Sequence, residues 1–149
     1  SEMCIRDRYT GGGYMHTTDD RTPVTFITRY YLDKIKRLCD AHGTKLLFVT
    51  APSPVNHTMQ RHNEVQALAD ALAVPYLDLN LNTEELGIDW NLDTLDGGDH
   101  LNYTGCQKAT AYLQWYMQTH YTLPDRRDDV RYEAWNKQAE EFEKLLPQP

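Results

Sequence analysis

Serine is almost missing from this sequence: two occur in 149 residues, Ser1 and Ser53. A chemistry built on a serine nucleophile has few places to sit, and Ser53, held between Pro52 and Pro54, suits a rigid loop better than an attacking hydroxyl. Cysteine is scarce too. Cys4, Cys39 and Cys106 form no Cys-x-x-Cys pair and no Cys/His cluster, so neither a zinc site nor a disulfide framework is indicated. Basic residues are in deficit, 15 against 22 acids for a formal charge of −7, and they form no run. A surface of that sign repels phosphate backbones and anionic membrane faces, so nucleic acid is not an expected partner. No apolar run approaches the roughly 18 residues of a membrane span, and no charged-then-apolar signal segment opens the sequence. Internal repeats and low-complexity tracts are absent as well.

What is present suffices for one modest core: 40% of residues are hydrophobic and 11% aromatic, and one compact unit is the default at this length. The first eight residues, SEMCIRDR, fit nothing downstream. Met3 to Arg8 back-translate naturally to ATG TGT ATA AGA GAC AG, the mosaic end of a transposase-based sequencing adapter. Residues 1–8 are therefore expected to be an adapter-encoded artefact and are set aside from the fold. Residues 9–23, with Gly11, Gly12 and Gly13, read as a flexible lead-in.

From there the periodicity alternates. Pro23 at a first helical position, with Ile27, Tyr31, Ile35 and Leu38 at helical spacing, predicts a helix over 24–42 with Gly43 as its C-cap. KLLFVTA (45–51) predicts a strand too uniformly apolar to face water, hence buried and parallel. The loop PSPVNHT leaves its C-terminal end, and Val65, Leu68, Ala69 and Leu72 mark one face of a helix over 57–73. PYLDLN (75–80) is a second short strand, and residues 81–100 form a loop with little regular patterning, of a length that tends to be functional or disordered. With Asn102 or Thr104 as N-cap, a further helix runs to His120, its buried face made of Ala109, Tyr112, Leu113, Tyr116 and Met117. Residues 24–121 thus read as one α/β region and 122–149 as a tail carrying a charged amphipathic helix over 131–146. The order predicts an α/β fold with parallel strands and helices on both faces, a partial three-layer, flavodoxin-like α/β/α sheet with a C-terminal helical extension. Ligands meet such sheets at the C-terminal strand ends.

The stretch LDGGDHLNYTG (95–105) concentrates the chemistry. Histidine shuttles protons near neutral pH, and a carboxylate beside it fixes the tautomer and stabilises the imidazolium formed in acyl transfer. His100 is the candidate base, with Asp99 or Asp96 as the carboxylate that orients it. Adjacent residues in extended chain point apart, which favours Asp96 slightly. Other readings of the same residues stand beside this one: Asp99, Asn102 and Thr104 as plain caps of the following helix, or Asp96, Asp99 and His100 as ligands of a divalent metal. With no second ligand cluster evident, no metal is expected. Cys106, in the first helical turn where the helix dipole favours thiolate, is a second nucleophile candidate beside Ser53, with helix packing as its simpler role. His57 and His62 read as polar helix-end residues, and Trp90 as packing for the long loop or, less favoured, as lining for a substrate cleft.

Three blocks in order, YLDKIKRLCDAHGTKLLFVTAPSP, HNEVQALADALAVPYLDLN and DGGDHLNYTGCQKATAYL, resemble the C-terminal half of SGNH/GDSL hydrolases over about residues 24–120. The last block is most similar to the bacterial branch that reads Asp-His-Leu-Asn-x-x-Gly, which has relatives among cell-surface acyl-transfer proteins. The resemblance implies that His100 is the catalytic base, flanked by the matching Leu101, Asn102 and Gly105, and that no cofactor is needed. It departs from the family in two ways. The position three before His100 is Gly97 rather than Asp, and the blocks that carry the nucleophilic Ser and the Gly and Asn of the oxyanion hole are missing ahead of Pro23. The implied protein is an N-terminally truncated serine esterase or O-acyltransferase, acting outside the cytoplasm or at the cell surface on a small-molecule or polysaccharide ester. The alternative is a non-catalytic α/β binding module.

Overall fold

The computed structural model describes residues 8–145. The expectation about residues 1–8 therefore lies, Arg8 apart, outside the described residues. Two compact units divide at Leu113/Gln114, inside a helix rather than at the expected boundary after residue 121.

In the first unit, α1 (Phe26–Ala41) starts from Thr25, whose Oγ1 accepts the Thr28 N–H at 3.1 Å. A threonine cap satisfies one of the orphan donors of the first turn, so Pro23 precedes the helix instead of opening it. Gly43 ends the exit with a left-handed φ of +64°. The apolar stripe of α1 has the expected spacing but stays open: Ile27, Tyr31 and Leu38 are exposed, and no residue of the helix is buried. A polar contact helps tie α1 to the rest, an Arg29–Glu64 ion pair of 2.9 Å in which Glu64 is buried.

Strands β1 (Phe48–Thr50) and β2 (Tyr76–Asp78) are parallel, pairing Phe48 with Tyr76, Val49 with Leu77 and Thr50 with Asp78. They are joined by α2 (Met59–Leu72), capped by Thr58 and left through Ala73 in the left-handed region. Mixed helices and a small two-stranded parallel sheet thus make an α/β arrangement. One expectation fails. β1 is not buried: Phe48 and Thr50 are half-buried and Val49 is exposed. A two-stranded sheet has only edge strands, so nothing encloses β1 as a central strand would be enclosed. The core sits instead between α2, β2 and the segment after β2, where Leu68, Ala69, Val74, Leu77, Leu79 and Leu86 are buried.

The segment 81–100 is more ordered than its sequence suggests. A 3-10 turn over Leu79–Asn82 runs into a one-turn helix, α3 (Thr83–Leu86), which Gly87 ends at φ +66°. Then follows α4 (Tyr103–His120), with Ala109, Tyr112, Leu113, Tyr116 and Met117 all half-buried on the expected face. In the second unit a 3-10 turn, Val130–Tyr132, starts from Asp129 and leads into α5 (Glu133–Leu145), none of whose residues is buried. No helix of the described residues is long and apolar enough to cross a membrane.

Candidate active site

The route to His100 begins at Asp93. Its carboxylate is buried and accepts from the Asp89 N–H (2.8 Å), the Thr104 hydroxyl (2.9 Å) and Lys108 Nζ (2.5 Å). Burial alone raises the pKa of such a group, and the hydrogen bonds, led by that from Lys108, outweigh it and hold Asp93 below the usual carboxylate range. The Asp93 carbonyl receives the Asn102 N–H at 2.9 Å, while Asn102 Oδ1 accepts the Gly105 N–H at 3.1 Å and caps α4. Gly105 is required by space: a Cβ there would stand 2.3 Å from the Asp93 carbonyl oxygen.

Between these anchors the chain makes a small hairpin. Thr94 bridges Leu101 in antiparallel fashion and the Leu95 N–H donates to the His100 carbonyl at 2.9 Å. Gly97 (φ +64°) and Gly98 (φ +101°) turn the tip in conformations that residues with a Cβ rarely adopt. The GG of the DGGDH motif is thus the turn that folds Asp96 back onto His100.

Asp96 meets His100 twice. Oδ1 accepts the His100 N–H at 2.7 Å and Oδ2 lies 2.7 Å from the ring Nδ1, while Asp99 Oδ2 is farther at 3.5 Å. The ring is exposed, and its Nε2 has no hydrogen-bond partner among the described residues. The Asp96 hydrogen bond, then the charge of Asp99, raises the His100 pKa above its ordinary value, and the same hydrogen bond lowers that of Asp96. With the proton on Nδ1 held by Asp96, the lone pair of the neutral ring is on Nε2, pointing away from its carboxylate: the arrangement of a general base.

The hairpin faces the loop that leaves β1. Asn56 Nδ2 donates to Asp99 Oδ1. Gly98 lies so close to Pro54 and the Tyr9 ring that a Cβ would come within 3.0 Å of each. Tyr9 and Tyr14 of the lead-in both pack on Trp90, with ring centroids 5.9 and 5.7 Å away. A cavity of about 430 Å³ opens beside this trio, lined also by Gly11, Gly12 and Asn80. Residues 9–23 have no regular structure, yet Tyr14 donates to Asn80 Oδ1 at 2.9 Å and the Thr18 and Asp20 carbonyls accept from Asn63.

The two nucleophile candidates have local roles. Ser53 Oγ accepts the Asn56 N–H at 3.1 Å and so braces its own loop. Cys106 is exposed in the first turn of α4, its Sγ 3.8 Å from the Leu101 carbonyl. Neither is hydrogen-bonded to His100 among the described residues. Asp96, Asp99 and His100 do bring three ligand-type atoms within 4.8 Å of one another, with Asp96 and His100 exposed and Asp99 half-buried.

A second cluster escaped the sequence. His57 and His62 sit at the start of α2 as expected of helix-end residues, but both turn inward onto Asp78, the last residue of β2, with His57 Nε2 at 2.8 Å and His62 Nδ1 at 2.7 Å from the same Oδ2. Burial by itself raises the Asp78 pKa, and hydrogen bonds led by His57 and Asn80 overcome it, so the carboxyl is held well below its usual range. The partners are 16 and 21 residues away in sequence, and no local pattern announces them.

No family model matches the chain, and no curated protein or solved structure matches it either.

Proposed function

We propose that this chain is the C-terminal part of an SGNH/GDSL-type acyl-transfer enzyme, an esterase or O-acyltransferase for esters of a surface carbohydrate or cell-envelope polymer. The observation that carries the reading is the two-point grip of Asp96 on His100, which leaves Nε2 as an open base. In the proposed reaction a serine from outside these 149 residues attacks the ester carbonyl while His100 Nε2 takes its proton. The imidazolium, stabilised by Asp96, returns the proton to the departing alcohol. The acyl group then passes to water or to an acceptor hydroxyl by the same steps in reverse. The engagement of Ser53 Oγ in its own loop supports placing the nucleophile elsewhere. The open apolar faces of α1 and β1 support a larger, three-layer flavodoxin-like sheet, with further strands beside β1. An uncovered edge of this kind also invites aggregation.

The test is turnover of a small acetyl ester. The 149-residue chain is expected to be inactive, and the protein restored with its native upstream sequence active. Activity in the bare chain, abolished by Ser53→Ala or Cys106→Ala, would overturn the placement of the nucleophile.

A second reading is favoured by the aromatic trio. Tyr9, Tyr14 and Trp90 beside the cavity of about 430 Å³ offer ring faces on which the C–H faces of sugars pack, as a non-catalytic carbohydrate-binding module would require. Saccharide binding by the restored protein without any turnover would favour this reading over the first.

A further inference from the structure

Asp78 is overcommitted for a carboxylate that only braces the fold. Its side chain is 1% exposed, and it collects five donors: the Asn80 N–H and Nδ2 on Oδ1, and His57 Nε2, His62 Nδ1 and the Tyr76 hydroxyl on Oδ2. An ionised carboxylate has about four lone-pair sites, two on each oxygen. Oδ1 is satisfied by its two amide donors. Oδ2 is crowded by three groups, two of them imidazoles that would both have to point an N–H at one atom. Asn80 and Tyr76 are enough to satisfy a buried aspartate, so the two histidines exceed what a structural staple needs.

We propose that His57 Nε2, His62 Nδ1 and Asp78 Oδ2 form a binding site for one divalent transition-metal ion of the zinc type, a function separate from, and independent of, the acyl-transfer reading. The three atoms lie within 4.8 Å of one another. Metal–ligand bonds of about 2.0–2.2 Å put neighbouring ligand atoms roughly 3.0–3.5 Å apart. The observed 2.7 and 2.8 Å fall short of that range by less than an ångström. A metal turns the crowding into bonding, since each nitrogen then offers a lone pair to the ion instead of competing for one oxygen. Two imidazoles and one carboxylate select zinc, cobalt or nickel over magnesium and calcium, which want oxygen ligands. The surroundings suit a metal site. Asn80 holds the other carboxylate oxygen, and Tyr76 stacks on the His62 ring at 5.4 Å while its hydroxyl is also 2.9 Å from Thr50 Oγ1. Such outer contacts fix the orientation of ligands. The histidine side chains are 8% and 15% exposed, so bulk water competes little with the protein ligands, whereas the ring of His100 in the other cluster is 68% exposed.

The experiment is metal titration of the full 149-residue chain after removal of metals with a chelator, with Zn²⁺ alone and then with Co²⁺ as a spectroscopic probe. One Zn²⁺ should bind per folded chain and raise its melting temperature, and Co²⁺ should show the visible bands of a low-symmetry nitrogen and oxygen site. His62→Gln, and separately His57→Gln, should weaken binding by roughly a hundredfold or more, at or above the upper end of the loss typical for an outer partner alone. His100→Gln should bind like the unaltered chain. Failure of the folded, unaltered chain to take up Zn²⁺ stoichiometrically overturns the proposal without reference to any variant. So does unchanged affinity in folded His62→Gln, or binding that disappears in His100→Gln.

Discussion

The two aspartate–histidine clusters use the same side chains at the same distances and differ in what surrounds them. Asp96 and His100 are four residues apart on a hairpin tip, exposed, and joined by contacts that the turn itself makes. Asp78, His57 and His62 come from a strand end and a helix start, buried, and joined only once α2 has packed on β2. Water competes with the first pair and screens it, so its strength is small and its value lies in where it leaves Nε2. In the second, desolvation makes every unmet donor costly, so the same contacts bear on stability.

The largest effect separating them should be catalytic. On the proposed acyl-transfer reading, His100→Ala in the protein restored with upstream sequence is expected to reduce ester turnover by roughly a thousandfold or more, the scale of losing a triad member, while leaving the melting temperature unchanged. Turnover that survives the substitution would remove His100 as the base.

Next comes stability. Asp78→Ala strands two histidines and the Asn80 N–H in a buried setting and should cost about 3–5 kcal/mol in denaturant unfolding, whereas Asp96→Ala should leave the unfolding midpoint where it was. Equal losses at both positions would erase the distinction. The buried site also sets an acid limit. Because the folded-state pKa of Asp78 lies below its unfolded value of 3.8, its contribution is complete above that pH and is lost as pH falls towards the folded value. Urea midpoints measured down the acid range should therefore fall more steeply for the unaltered chain than for Asp78→Asn.

Gly105→Ala should cost about 1–3 kcal/mol, the range for forced overpacking, since the new methyl collides with the backbone oxygen of Asp93 rather than with a side chain that can move. It should also displace the Asp93–Asn102 link that seats the hairpin, visible as altered amide shifts for residues 94–101. A neutral Gly105→Ala would show that the hairpin is not seated on α4 as described.

The smallest effect is a titration. His100 has a raised pKa, so its part of the ion pair is fully present below the unfolded value of 6.5 and is lost as pH rises through the folded value. Asp96 has a lowered pKa and contributes above 3.8, so the pair acts in the window between the two. Asp96→Asn should bring the NMR-observed His100 pKa down towards 6.5 and move the acid limb of the pH–rate profile in the same direction. If Asp99→Asn moves it more, Asp99 is the orienting carboxylate.

Local pattern carried much of this molecule. The Asn102 cap of α4, the glycine after α1, the apolar spacing of α2 and the half-buried face of α4 follow from contacts within a few residues, and the parallel pairing of two short apolar runs follows from the crossover helix between them. The Asp96–Gly97–Gly98–Asp99–His100 tip belongs in part to the same class: sequence placed an acid within reach of His100 but favoured Asp96 over Asp99 only slightly, and the turn at Gly97 and Gly98 decided between them. Burial did not follow in the same way. The apolar run of β1 and the stripe on α1 look like interior surface, but whether such a face is covered depends on neighbours that no residue in the run specifies. The lead-in reads as loose from its glycines, and Tyr14 and Trp90 dock it through side chains that meet only in the fold. Most of all, His57, His62 and Asp78 are separated by a helix and a strand, and only packing α2 against β2 brings them together and excludes water from them. Sequence determined the turns, caps and repeat spacings because these are set by torsions and contacts a few residues apart. Tertiary structure decided which polar groups lost their water, because desolvation belongs to the whole packed neighbourhood and not to any one stretch of chain.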